Sequence, residues 1–141
     1  RTKDTDVLTE YVRNALARSI CQQWRTADRV IHAVTLDPAA EDLINAHIER
    51  TERGSFLTLP PAASNRLVAA IRNEVEAAAA RSGGAQPVVL ASPQVRPFVR
   101  RLIATALPAA PVLAFNEVVN GIEIKAHGMV VFSDESANVS A

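Results

Sequence analysis

The sequence predicts an α/β (α+β) protein made of two small subdomains. One is helix-rich with short strands, and the terminal one is a β-α-β unit plus a hairpin. Three observations lead there. Apolar residues recur at helical spacing over residues 4–24 and again over the Ala-rich residues 61–81. Short β-branched or wholly apolar runs at residues 30–36, 87–91 and 112–115 read as strands. A helix-length segment separates the last two runs, and a strand–helix–strand unit of that length closes as a right-handed parallel crossover.

The elements follow in chain order. Over residues 4–24, Val7, Leu8, Tyr11, Leu16, Ile20 and Trp24 form one apolar stripe, with Glu10, Arg13 and Arg18 between them. This spacing predicts a single amphipathic helix capped by Asp4 or Thr5. Ile31, Ala33 and Val34 mark a strand over residues 30–36. Asp37-Pro38 then starts a helix: the Asp carboxylate accepts orphan amides, and Pro needs no donor in the first turn. That helix is expected to run to Arg50, with Leu43, Ile44, His47 and Ile48 near its buried side, and a strand is expected over residues 55–59.

Pro60-Pro61 divides residues 1–59 from residues 60–132, because a residue before proline leaves the α region. Leu67, Val68, Ile71, Val75 and Ala78 stripe the helix over residues 61–81, and Ser82-Gly83-Gly84 ends it. After the strand over residues 87–91, Ser92-Pro93 opens a helix to Leu107, which Pro108 and Pro111 stop. A strand over residues 112–115 follows. Asn120-Gly121 reads as a two-residue hairpin turn, which predicts an antiparallel return over residues 122–132. Residues 133–141 are polar and are expected to form a flexible tail.

Composition narrows the function. Of 141 residues, 48% are hydrophobic and 21% charged, the balance of a folded chain and not a disordered one. Fifteen basic and fifteen acidic residues cancel, so a bulk polybasic grip on nucleic acid or anionic lipid is excluded. Aromatic residues are 4%, too few for a base-stacking platform, and no nucleic-acid partner is expected. One cysteine, Cys21, excludes an intramolecular disulfide and a multi-Cys zinc site. No apolar run reaches the roughly 18 residues of a membrane helix. The chain opens on Arg1 without a secretory signal, so it is expected to be a soluble piece of a longer protein.

Catalytic motifs are missing from the pattern. Gly83-Gly84 follows a helix, the wrong place for a dinucleotide turn, and no phosphate-binding loop of the Walker type is present. His32, His47 and His127 lie on three elements without metal-ligand spacing. Cys21 reads as a small core residue, and Glu41 and Asp42 as first-turn carboxylates that favour their helix dipole. No catalytic, cofactor-binding or metal-ligating residue is assigned, and the chain is expected not to be an enzyme. The helix after Ser92 is the exception in chemical interest. It carries Arg96, Arg100 and Arg101 without an acidic residue, and Arg96 and Arg100 share a face. Its N-terminus after a parallel strand leaves open a small α/β anion- or nucleotide-binding domain as the alternative.

The order of blocks carries a family resemblance. Thr9-Glu10-Tyr11-Val12-Arg13 with Ala15 to Cys21, Leu36-Asp37-Pro38, and Arg50-Thr51-Glu52-Arg53-Gly54-Ser55-Phe56-Leu57 come first. Pro87 to Ile103 and then Pro111-Val112-Leu113-Ala114-Phe115-Asn116-Glu117 follow. Together, over residues 4–125, they resemble the C-terminal cytoplasmic domain of type III secretion export-gate proteins, the SctV/FlhA-like family. The Arg-Thr-x-x-Gly-Ser-Phe-Leu form favours the injectisome branch, with a flagellar homologue as the alternative. The resemblance implies an inner-membrane protein whose cytoplasmic domain forms a nine-membered ring, docks chaperones and exported substrates, and is coupled to an ATPase complex. Membrane contact would come only through an N-terminal region that this sequence lacks. Residues 1–59 would belong to the third, ring-contact subdomain and residues 60–132 to the fourth. Glu49, Arg50, Glu52 and Arg53 are the expected inter-subunit contact, and Arg96, Arg100 and Arg101 the expected docking surface.

Overall fold

In the computed structural model, residues 5–25, 29–119 and 121–132 are described. Two short helices, α1 (Thr5–Ala15) and α2 (Ala17–Trp24), lead into β1 (Val30–Leu36) and α3 (Pro38–Ala46). A small antiparallel pair follows, β2 (Ile48–Thr51) and β3 (Gly54–Leu57). The long helix α4 (Pro61–Arg81) precedes β4 (Val88–Ala91), α5 (Arg96–Ile103), β5 (Val112–Ala114), a 3-10 turn (Phe115–Glu117) and β6 (Glu123–Val130).

Period-two alternation in the strands makes a sheet with two apolar faces. The strand order is β5-β4-β1-β6, and all three neighbouring pairs are parallel. Val34, Leu36, Val89, Val112 and Val130 point to one face and pack on α3, α4 and α5 through Ile44, Leu67, Ile71, Val99 and Ile103. Ile31, Ala33, Val88, Leu90 and Leu113 point to the other, where Cys21, Ile20 and Trp24 of α2 meet Val118, Val119 and Ile122. Parallel strands covered on both sides read as nearly continuous apolar runs, which is what β4 shows. Each fully buried aliphatic side chain here contributes about 1.5–3 kcal/mol through burial. The chain is α/β, as the sequence predicts.

Local chemistry explains the legible elements. Asp37 Oδ2 accepts the Ala39 amide at 3.2 Å and Pro38 takes the first turn of α3. Leu67, Ile71, Val75 and Ala78 form the buried stripe of α4. Gly83 and Gly84, with φ of +72° and +100°, turn the chain back after it.

Four sequence expectations are corrected. The first helix breaks at Leu16, and most of its apolar stripe is exposed, with Tyr11 at 79%. Periodicity reports an amphipathic face without saying what covers it. The second helix stops at Ala46, so Glu49 and Arg50 lie on β2. His47 closes the helix end, its carbonyl accepting the Thr58 amide at 2.7 Å, and Gly54 at φ +133° lets the chain turn back. The arginine-bearing helix begins at Arg96, because Ser92 to Val95 form a turn in which Ser92 O accepts the Val95 and Arg96 amides.

The fourth correction concerns the end of the sheet. β6 pairs parallel with β1 and makes no hairpin with β5. Val118, Val119 and Ile122, between β5 and β6, pack partly buried on the second face, and β6 fills the open side of β1. Asn120 of the expected turn lies outside the described residues, as do residues 133–141. β1, from before Pro60, sits inside the sheet with β4, β5 and β6 from after it. Segments on both sides of the expected boundary therefore share one sheet and one core. Among the described residues no helix is long and apolar enough to cross a membrane.

Candidate interaction surfaces

Helix α1 is tied to α5 and to the 3-10 turn by two ion pairs. Glu10 and Arg13 are three residues apart on α1, close enough to pair with one another. They pair outward instead. Arg96 of α5 donates Nε and Nη2 to the Glu10 carboxylate, with a closest contact of 2.7 Å. Arg13 donates Nε to Glu117 Oε2 at 2.7 Å and Nη2 to Glu117 Oε1 at 3.0 Å. These are two-pronged, charge-assisted contacts, which fix orientation as well as distance. Glu117 Oε1 also accepts the Ala114 amide, and its backbone carbonyl accepts the Cys21 thiol at 2.9 Å. The 3-10 turn after β5 thus gathers α1, α2 and the sheet.

This junction decides the fate of the arginine trio. Arg96 is 5% exposed and spent on Glu10 and on the Val112 carbonyl. Arg100 is half-buried and donates to Pro108 O at 3.2 Å. Arg101 is exposed, lies 5.0 Å over the Phe98 ring and donates to Ser55 O at 3.5 Å. The structure does not bring the three to one surface. At the Ser92 turn, where anion binding was the alternative left open, Glu41 Oε2 accepts the Ser92 amide at 2.8 Å.

Glu49, Arg50, Glu52 and Arg53 do cluster. All four are exposed on the β2–β3 hairpin, whose turn is held by Thr51 Oγ1 accepting the Arg53 amide. Arg50 also lines a cavity of about 440 Å³ with Val7 and Glu10 of α1 and Pro93, Pro97 and Phe98. Val7, Leu8, Tyr11 and Val12 of α1, with Leu16 just after it, are exposed and form an apolar face.

The histidines divide. His47 Nδ1 lies 2.9 Å from Leu43 O, within its own helix end. His32 Nδ1 and His127 Nε2 are 2.7 Å apart, and their rings stack at 4.9 Å. His127 is the extra residue of a bulge in β6, between the pairs Ala33–Ala126 and Val34–Gly128. Desolvation lowers its pKa, and the positive charges of His32, Lys125 and Arg81 lower it further. Sequence spacing gave no sign of this pair, because parallel register brought the two together. Sequence spacing gave no sign of the Glu10 and Arg13–Glu117 contacts either, because each joins α1 to the last third of the chain, although all three residues sit inside the family-like blocks.

Comparison with known proteins places these surfaces in context. A family model described as FHIPEP family matches residues 1–123. The flagellar biosynthesis protein FlhA of Bacillus subtilis is 36% identical over 129 residues, which are 92% of this chain and 19% of the relative. The cryo-EM structure of nonameric EPEC SctV-C superposes with a TM-score of 0.79 at 29% identity, covering 92% of this chain and 38% of that one. The Chlamydia pneumoniae CdsV and CdsO protein complex gives 0.80 at 35% identity, covering 93% and 38%. The chain therefore spans less than a quarter of the curated relative and less than half of either solved chain. By the family match over residues 1–123 and the shared fold, the chain belongs to the FHIPEP family, as a C-terminal domain of the SctV/FlhA-like export-gate type.

Proposed function

We propose that this chain is part of the cytoplasmic domain of an inner-membrane export gate in a type III protein secretion system, where it helps to form a ring and to dock export partners. The observation that carries the reading is the apolar face of α1 beside the charged β2–β3 hairpin. Four large apolar side chains on one short helix and Leu16 just after it, each about half exposed or more, are what an oligomer contact leaves when its neighbour is absent. The hairpin charges Glu49, Arg50, Glu52 and Arg53 then form the polar rim of that contact. The nonameric state of the similar EPEC SctV-C supports the ring, and the CdsV–CdsO complex supports a protein partner. Chaperones and exported substrates are further partners under this reading. The chain acts by surface complementarity without covalent chemistry, and the Arg50-Thr51-Glu52-Arg53-Gly54-Ser55-Phe56-Leu57 block supports the injectisome branch.

The test is genetic and direct. In the host, charge reversal at Arg50 and Arg53 with Tyr11→Glu should abolish export of secreted substrates while the protein still accumulates. Normal export from that variant would refute the reading.

A further inference from the structure

A second cavity, of about 630 Å³, lies between α2, α5 and the segment that enters β5. Three guanidinium-bearing residues line it: Arg13, Arg96 and Arg100. Glu117 and Glu10 neutralise the first two, so among the described residues lining the cavity and their partners three positive charges against two negative leave one. The unmatched charge is on Arg100. Its Nη2 is spent on Pro108 O, while its Nη1 is buried and has no hydrogen-bond acceptor among the described residues. Native proteins rarely leave a buried charged donor unmet, because its lost hydration is not replaced. The remaining wall is largely apolar, with Ile20, Trp24, Pro108 and Pro111.

We propose that this cavity is a docking site for the carboxylate side chain of an acidic peptide segment belonging to a partner protein. A planar carboxylate matches the guanidinium fork, and its single negative charge matches the single unbalanced positive one. Turning the Arg100 guanidinium toward the cavity it lines gives up the exposed Nη2 bond to Pro108 O and an unmet Nη1, and gains a charge-assisted pair. The apolar wall takes the residues flanking the acid, and the volume is that of a small-ligand or short-peptide site. A phosphate dianion brings more charge than the site leaves unbalanced and nothing to cover Trp24. The site is separate from the α1 face and from the hairpin, and nothing in it depends on ring formation.

The sequence holds one tryptophan, Trp24, and it lines this cavity, so its emission reads the site directly. The chain is titrated with acetyl-Leu-Glu-Leu-amide, with the same peptide carrying Gln, and with inorganic phosphate. The expected result is a saturable change with the Glu peptide, at least tenfold weaker with Gln and with phosphate. Arg100→Gln should weaken the Glu peptide about tenfold, while Arg100→Lys retains part of the affinity. Equal response to Glu and Gln peptides, phosphate binding as tight as the peptide, an unchanged Arg100→Gln protein, or no saturable response would each overturn the proposal. Should Arg100→Gln not fold, as read by circular dichroism, the Glu-against-Gln comparison on the wild-type chain decides alone. Failure here leaves the ring reading untouched, because that reading is tested at Tyr11, Arg50 and Arg53.

Discussion

Arg13 of α1 and Arg96 of α5 donate to the same carbonyl oxygen, that of Val112, at 3.4 and 3.1 Å. Each also grips a carboxylate, Arg13 on Glu117 and Arg96 on Glu10. The first helix is therefore fastened beside the end of β5 at two charged points, while much of its apolar face is left outward.

The two partners of one pair should not be equivalent. Glu117 is 2% exposed in its side chain and Arg13 26%. Removing Arg13 strands a buried anion, whereas removing the charge of Glu117 leaves a cation that can turn to water. Arg13→Met is expected to cost about 3 kcal/mol, at the lower end for a broken buried pair. Glu117→Gln, which keeps an acceptor for the Ala114 amide, should cost about 1–2 kcal/mol. Urea denaturation of both variants and their double mutant measures the difference, and equal costs would contradict the asymmetry.

Charge reversal separates the arginine trio. Arg96→Glu places two carboxylates together at a buried site and should prevent stable folding. Arg101→Glu, on the exposed flank of α5, loses its contacts with Phe98 and Ser55 O and should cost about 1 kcal/mol while the protein still folds. Circular dichroism melts decide this. A well-folded Arg96→Glu protein would mean that the Glu10 pair does not hold α1.

His127 gives a pH dependence with a definite sign. Its pKa in the fold lies below the ordinary 6.5, through desolvation first and then the charges of His32, Lys125 and Arg81. The unfolded chain then binds more protons than the folded one between the lowered value and 6.5. The contribution is complete above that ordinary value and is lost as pH falls below it. Urea midpoints for wild type and His127→Gln should differ in slope between about pH 8 and about pH 5.5, with wild type the steeper. Parallel curves would contradict the placement of the pair.

Gly128 is required by space and not by backbone angle. A Cβ there would collide with Glu74 Oε1 of α4 and come within 3.5 Å of Arg81 Nη1. Gly128→Ala should cost about 1 kcal/mol, the scale of mild overpacking. Glu74→Ala in the same chain should recover most of it, because the obstacle is one flexible side chain. A double mutant as unstable as the single one would place the clash elsewhere.

Much of the fold could be read from local chemistry. Asp37-Pro38, the stripe of α4 and the apolar run of β4 each depend on neighbours a few residues away, and each stands where expected. What failed depended on distant partners. Asn120-Gly121 suggested a hairpin, yet β6 found the open edge of β1, and no local pattern encodes that choice. Residues 48–51 carry helix-compatible side chains, and their pairing with residues 54–57 across the turn makes them a strand. That Glu49, Arg50, Glu52 and Arg53 are exposed follows from their charge alone. The Glu10–Arg96 and Arg13–Glu117 pairs were not legible, because each joins the first helix to the last third of the chain.

The most direct test of the central claim, that the α1 face is an oligomer contact, is native mass spectrometry of the chain across a concentration series. The account expects oligomers that grow with concentration and collapse to monomer on Tyr11→Glu. A chain that stays monomeric at every concentration, or oligomers that survive Tyr11→Glu unchanged, would contradict it.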